Sequence, residues 1–86
     1  MRNRDKNEII GSILQSIINS KEEEGIRRTR IMYNSFLSYG MVTHYLKVLS
    51  ENGSLEYDEL NKTYRITDKG LQFLELQSKI GEMLKV

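Results

Sequence analysis

Residues 27–66, RRTRIMYNSFLSYGMVTHYLKVLSENGSLEYDELNKTYRI, decide the fold. Their hydrophobic period changes along the way. Arg27 to Asn34 reads as a short basic helix with Ile26, Ile31, Met32 and Phe36 facing inward. Leu37-Ser38-Tyr39 makes a turn, and Ser38 suits an N-cap because its hydroxyl can accept an orphan N–H of the next helix. From about Tyr39 to Asn52, Val42, Leu46 and Leu49 mark a buried stripe flanked by Met41 and Tyr45, with Thr43, His44 and Lys47 on the opposite face. Asn52-Gly53 ends this helix, since glycine takes a left-handed position without a Cβ penalty. The period then drops to two. Leu55 and Tyr57 alternate with Ser54, Glu56 and Asp58. After Glu59-Leu60-Asn61-Lys62, Tyr64 and Ile66 alternate again, which is a hairpin.

Outside this block, residues 5–20 place Ile9, Ile10, Ile13, Leu14, Ile17 and Ile18 on one broad helical face. Five isoleucines lower the intrinsic propensity of that helix, so packing must hold it. Lys21 to Gly25 is a polar loop with Gly25 suited to a left-handed backbone. Thr67 or Asp68 caps a last helix running to about Lys85. Leu71 and Leu74 of that helix are expected against the domain. Phe73, Leu76, Ile80 and Met83 follow the spacing of a coiled-coil seam, with Leu84 and Val86 adding apolar surface. A helix apolar on two sides exceeds what one small core covers, and a second copy would cover the rest symmetrically. The seam spans less than two heptads, and a long core helix is the plainer reading. The predicted fold is mainly α, of the α+β class: a winged helix-turn-helix with a two-stranded wing over residues 1–70 and a C-terminal dimerisation helix over 71–86.

The bulk composition narrows function by exclusion. Eighty-six residues make one domain with a modest core. No cysteine means no disulfide and no thiolate metal site, and a single histidine disfavours a His-based one. The polar start MRNRDKNE is unlike a signal peptide, and no apolar run approaches the ~20 residues of a membrane span. A cytoplasmic, nucleoid-associated protein is expected. No paired-carboxylate arrangement or glycine-rich phosphate loop points to catalysis or to a small-molecule ligand or cofactor. Net charge is only +1, but residues 1–50 carry +3 and residues 51–86 carry −2. A basic face matters more for nucleic acid than a basic total.

The stretch TRIMYNSFLSYGMVTHYLKVLSENGSLEY, with YRITDKGLQFLE after it, resembles the small archaeal winged-helix DNA-binding proteins of the 10a type, related to the PadR- and MarR-like winged-helix groups. The matching pieces are Thr29 to Tyr33, Leu37-Ser38-Tyr39, Tyr45-Leu46, Leu49, Glu51-Asn52-Gly53, Tyr64 and Thr67 to Gly70. The resemblance covers about residues 9 to 76. It implies a dimer joined by antiparallel C-terminal helices and sequence-tolerant binding of double-stranded DNA, in chromatin or in transcription regulation. Gly40 departs from the pattern: it stands where a side chain could have read a base or a phosphate.

Candidate DNA contacts follow from position. Arg27, Arg28 and Arg30 suit phosphates, which supply most non-specific affinity and fix register. They read equally as a solvated helix end paired with Glu22 to Glu24. Tyr39, Thr43, His44 and Lys47 would face the major groove, and Ser38 could reach a phosphate from the helix N-terminus. Tyr39 reads also as a packing residue of the turn. Lys62 and Arg65 lie on the wing, where Glu56, Asp58 and Glu59 would repel phosphate. Arg2, Arg4 and Lys6 could form a basic arm. The dimer interface would comprise Phe73, Leu76, Ile80, Met83 and Leu84. The competing class is a protein-interaction module of a transcription-related assembly, because fold alone does not fix function. Such a module would tolerate Arg28→Glu and Lys47→Glu without losing its partner.

Overall fold

The computed structural model describes residues 5–20, 22 and 24–84. Helix α1 spans Lys6–Asn19, α2 Arg28–Ser35 and α3 Tyr39–Glu51; strands β1, Leu55–Asp58, and β2, Thr63–Ile66, follow, and α4 is Asp68–Leu84. Asp5 caps α1, its carboxylate accepting from the Glu8 amide at 2.8 Å. The buried face of α1 is Ile9, Ile10, Ile13, Leu14 and Ile17. Ile18 lies at the solvent edge, one position beyond the stripe. Burying these β-branched residues offsets their low helix propensity, at about 25 cal/mol per Å² of apolar area removed from water.

Helix α2 ends differently from the sequence expectation. Phe36 has φ +56° and points into solvent, 90% exposed, instead of facing inward. The reason is a Schellman-type stop. The Leu37 amide donates to the Met32 carbonyl at 3.2 Å, and the Phe36 amide to the Tyr33 carbonyl at 3.3 Å. That geometry needs a left-handed residue at 36 and turns the next side chain, Leu37, into the core. Ser38 then caps α3, accepting from the Met41 amide at 3.2 Å. Val42, Leu46 and Leu49 are buried, and α3 stops through Asn52 and Gly53, φ +85°.

The hairpin pairs Leu55 with Ile66, Glu56 with Arg65, Tyr57 with Tyr64 and Asp58 with Thr63. Asp58 organises its turn: the carboxylate accepts from the Leu60 amide at 2.9 Å and the Asn61 amide at 3.2 Å. Tyr57 shares the face of Leu55 but is 42% exposed, its ring centre 4.8 Å from that of Tyr64. A single antiparallel bridge at Ile26 adjoins the two-stranded sheet. Ile26 donates to and accepts from the Tyr64 backbone at 3.0 and 2.8 Å. Gly25 makes this possible. Its φ is +93°, and a Cβ there would stand 2.6 Å from the Tyr64 carbonyl oxygen.

Thr67 is the cap of α4. Its hydroxyl accepts from the Gly70 amide at 3.2 Å and donates to the Gly53 carbonyl at 2.6 Å, which ties α4 to the end of α3. The domain-facing stripe of α4 is Gly70, Phe73, Leu74 and Gln77, spaced three and four apart. Gly70 packs so closely that a Cβ would meet the Ser54 carbonyl oxygen at 2.5 Å. Gln77 donates to the Asn7 carbonyl at 2.8 Å. This phase turns Leu71 outward, against expectation, and brings Phe73 onto the core. Leu76 and Ile80 remain 57% and 48% exposed. The side chains of Met83 and Leu84, and residues Arg2, Arg4 and Val86, lie outside the described residues.

Candidate nucleic-acid interface

The start of α2, the start of α3 and the hairpin meet on one side of the molecule. Between them runs a groove of about 290 Å³ lined by Arg27, Arg28, Thr29, Tyr39, Tyr57, Lys62 and Tyr64. Four of the residues expected from the sequence, Arg27, Arg28, Tyr39 and Lys62, therefore come together. Thr29, Tyr57 and Tyr64 join them without having been expected. The alternation of the hairpin places Tyr57 opposite Tyr64, and that is the only sequence signal for their meeting.

The cations of this face are in different states. Arg27 caps the start of α2 without a side-chain capping bond, is exposed, and has no ion pair or hydrogen bond to its side chain among the described residues. Arg28 is half-buried. Its Nη1 donates to the Tyr39 hydroxyl at 3.0 Å and its Nη2 to the Tyr64 hydroxyl at 3.3 Å. The guanidinium carbon lies 5.8 Å from the centre of the Tyr39 ring, within cation–π range. Hydrogen bonding to Tyr64, then to Tyr39, holds the Arg28 pKa above its ordinary value against the opposing effect of burial. Arg30 pairs with Glu22 at 2.8 Å, an exposed bridge of the kind worth about 0–1 kcal/mol.

On α3, Tyr39, Gly40, His44 and Lys47 are exposed, and the His44 and Tyr45 rings meet edge-on at 5.1 Å. Thr43 is only half-exposed and its hydroxyl oxygen is covered, without a partner among the described residues. Nothing lies within 4 Å of where a Cβ of Gly40 would stand, so the first turn of α3 presents open backbone.

The hairpin carries both signs. Arg65 reaches Asp58 at 3.3 Å. Backbone and then side-chain hydrogen bonds from Asn61 keep the Asp58 carboxyl below the ordinary carboxylate range. Its charge is thus engaged by the turn and by Arg65, whereas Glu56 and Glu59 stay exposed. Lys62, with φ +57°, is exposed at the end of the turn.

A family model described as winged helix-turn-helix matches residues 3–85. The chain belongs to that family. In the family's terms α2 and α3 are the helix-turn-helix and β1–β2 the wing. A search of curated proteins gives no significant match. Among solved structures the chain is similar to Sso10a-2, a DNA-binding protein from Sulfolobus solfataricus, with 24% identity and a TM-score of 0.68 over 96% of this chain and 99% of that one. The winged helix is thus shared over essentially the whole length of both. No group of three or more metal-ligating side chains occurs among the described residues, and no helix there is long and apolar enough to cross a membrane.

Proposed function

We propose that this winged helix binds double-stranded DNA as a regulator of transcription or a component of chromatin, and acts by binding rather than by catalysis. The observation that carries the reading is the state of one face. The exposed side of α3, with Tyr39, His44 and Lys47, adjoins a groove whose cations Arg27 and Lys62 are exposed and have no ion pair among the described residues. Helix α3 would enter the major groove, with Arg27 and Lys62 on the flanking phosphates. The open first turn at Gly40 and the covered hydroxyl of Thr43 leave few side chains for base edges, which favours sequence-tolerant binding. The DNA-binding character of Sso10a-2 supports the same reading.

The molecule would work as a homodimer. Leu76 and Ile80, one helical turn apart and about half exposed, form an uncovered stripe on α4 that a second copy would bury. Two copies would offer two α3 helices to one duplex. Fluorescence anisotropy with a random-sequence duplex over a salt series tests the DNA reading. Salt-sensitive binding is expected, and no binding at low salt would turn attention to a protein partner. Light scattering on the same sample is expected to give twice the 10.1 kDa chain mass, falling to the monomer for Ile80→Asp. A parent that scatters as a monomer would remove the dimer.

A further inference from the structure

Arg28 differs from every other cation on the DNA-facing side. Two of its guanidinium nitrogens are engaged by tyrosine hydroxyls from two different elements. The third, Nε, is buried with no partner among the described residues. Tyr39 is the first residue of α3, and Tyr64 sits in β2 where its backbone also pairs with Ile26. Tyr64 is 7% exposed, so it offers bound DNA little surface. A phosphate ligand presents its fork to solvent; here each Nη already donates to a tyrosine hydroxyl and Arg28 is half-buried.

We infer that Arg28 is a positioning residue that fixes the recognition helix relative to the wing by bridging Tyr39 and Tyr64. This rests on the DNA-binding reading of that face and gives one of its arginines a different task. The planar guanidinium reaches the two acceptors with separate nitrogens, whereas the single nitrogen of a lysine would have to lie within hydrogen-bonding distance of both. The shielded Nε is an unmade hydrogen bond, a cost that a fork free in solvent would not incur. The bridge spans three elements with no other side-chain hydrogen bond joining α3 to β2 among the described residues. Without it, the start of α3 and the wing would each keep its own packing but lose their common reference.

The test separates positioning from phosphate contact through charge. Arg28→Lys keeps the charge and breaks the fork; Tyr64→Phe changes no charge and removes one acceptor. Each is expected to weaken duplex binding by about fivefold, with the slope of log affinity against log salt unchanged, because no phosphate contact is lost. Together they should weaken binding no more than the worse of the two, since both break one bridge. Circular dichroism should show both variants fully folded at the assay temperature. Parent-like binding by either variant would overturn the inference, as would a loss that merely follows the unfolded fraction. So would a slope reduced by about one in Arg28→Gln while Arg28→Lys binds normally, which would make Arg28 a phosphate ligand. If the parent binds no duplex, the DNA reading falls by itself. The bridge is then judged without DNA by a double-mutant cycle in thermal stability: non-additive losses for Arg28→Lys and Tyr64→Phe are expected, and additive ones would reject it.

Discussion

The double variant Arg27→Glu, Lys47→Glu should bind duplex DNA about 100-fold more weakly than the parent at ~0.1 M salt. Both side chains are exposed and have no ion pair among the described residues, so their charges are available to phosphate. Each phosphate neutralised contributes about 0.9 to the slope of log affinity against log salt, which near 0.1 M corresponds to just under tenfold per contact. Two contacts removed and replaced by repulsion give the stated loss. The loss should be nearly the same for unrelated sequences, and the salt slope should shrink by about two. Arg28 is the wrong partner for this experiment, although it neighbours Arg27 in sequence. Its replacement by glutamate would break the Tyr39–Tyr64 bridge and mix two effects. Arg30 is also less informative, being paired with Glu22. A salt titration of the parent, the double glutamate variant and a charge-neutral Arg27→Gln, Lys47→Gln control would check the expectation. Unchanged affinity in the glutamate variant would move the DNA surface elsewhere or remove it.

Most of the fold was legible because its signals are local. The period changes near Leu37 and Ser54, the Ser38 cap and the Gly53 stop all act within a turn or two of chain, and each element appears where they place it. What the sequence hid depends on distant chain. Phe36 looks like one more core aromatic; only the two backbone bonds closing α2 reveal that residue 36 must be left-handed and Leu37 must be the one buried. The bridge at Ile26 has no period to detect, because one residue pairs with one residue across 38 positions of chain. On α4 both apolar stripes were visible, but their assignment turned on Gly70, whose missing side chain lets the helix sit against Ser54 and sets the phase. The candidate site shows the same division. Which residues carry charge is plain in the sequence. Whether a given arginine is free, paired or locked between two tyrosines is decided by neighbours eleven and thirty-six residues away.

Leu46→Ala should have the largest effect on stability, about 2–5 kcal/mol. Leu46 is 1% exposed at the middle of α3, in the buried stripe between Val42 and Leu49. Truncation removes the transfer free energy of the lost carbons and leaves a cavity. The neighbours that could fill it, on α2 and β1, are fixed by their own contacts in a single small core. At about 4–8 °C per kcal/mol for a domain of this size, the melting temperature should fall by at least ~8 °C. A domain of this length has only about 5–10 kcal/mol to lose, so the variant would be close to its limit at ambient temperature. If the molecule is a dimer, part of the loss should be recovered at higher protein concentration, because association stabilises only the folded chain. Melting followed by circular dichroism at two concentrations checks both points. A fall of less than ~1 kcal/mol would mean that α3 does not depend on this contact, and that the packing described for Leu46 is wrong. At temperatures where the variant is folded its duplex affinity should match that of the parent, since the side chain lost faces the core whereas Lys47 is exposed.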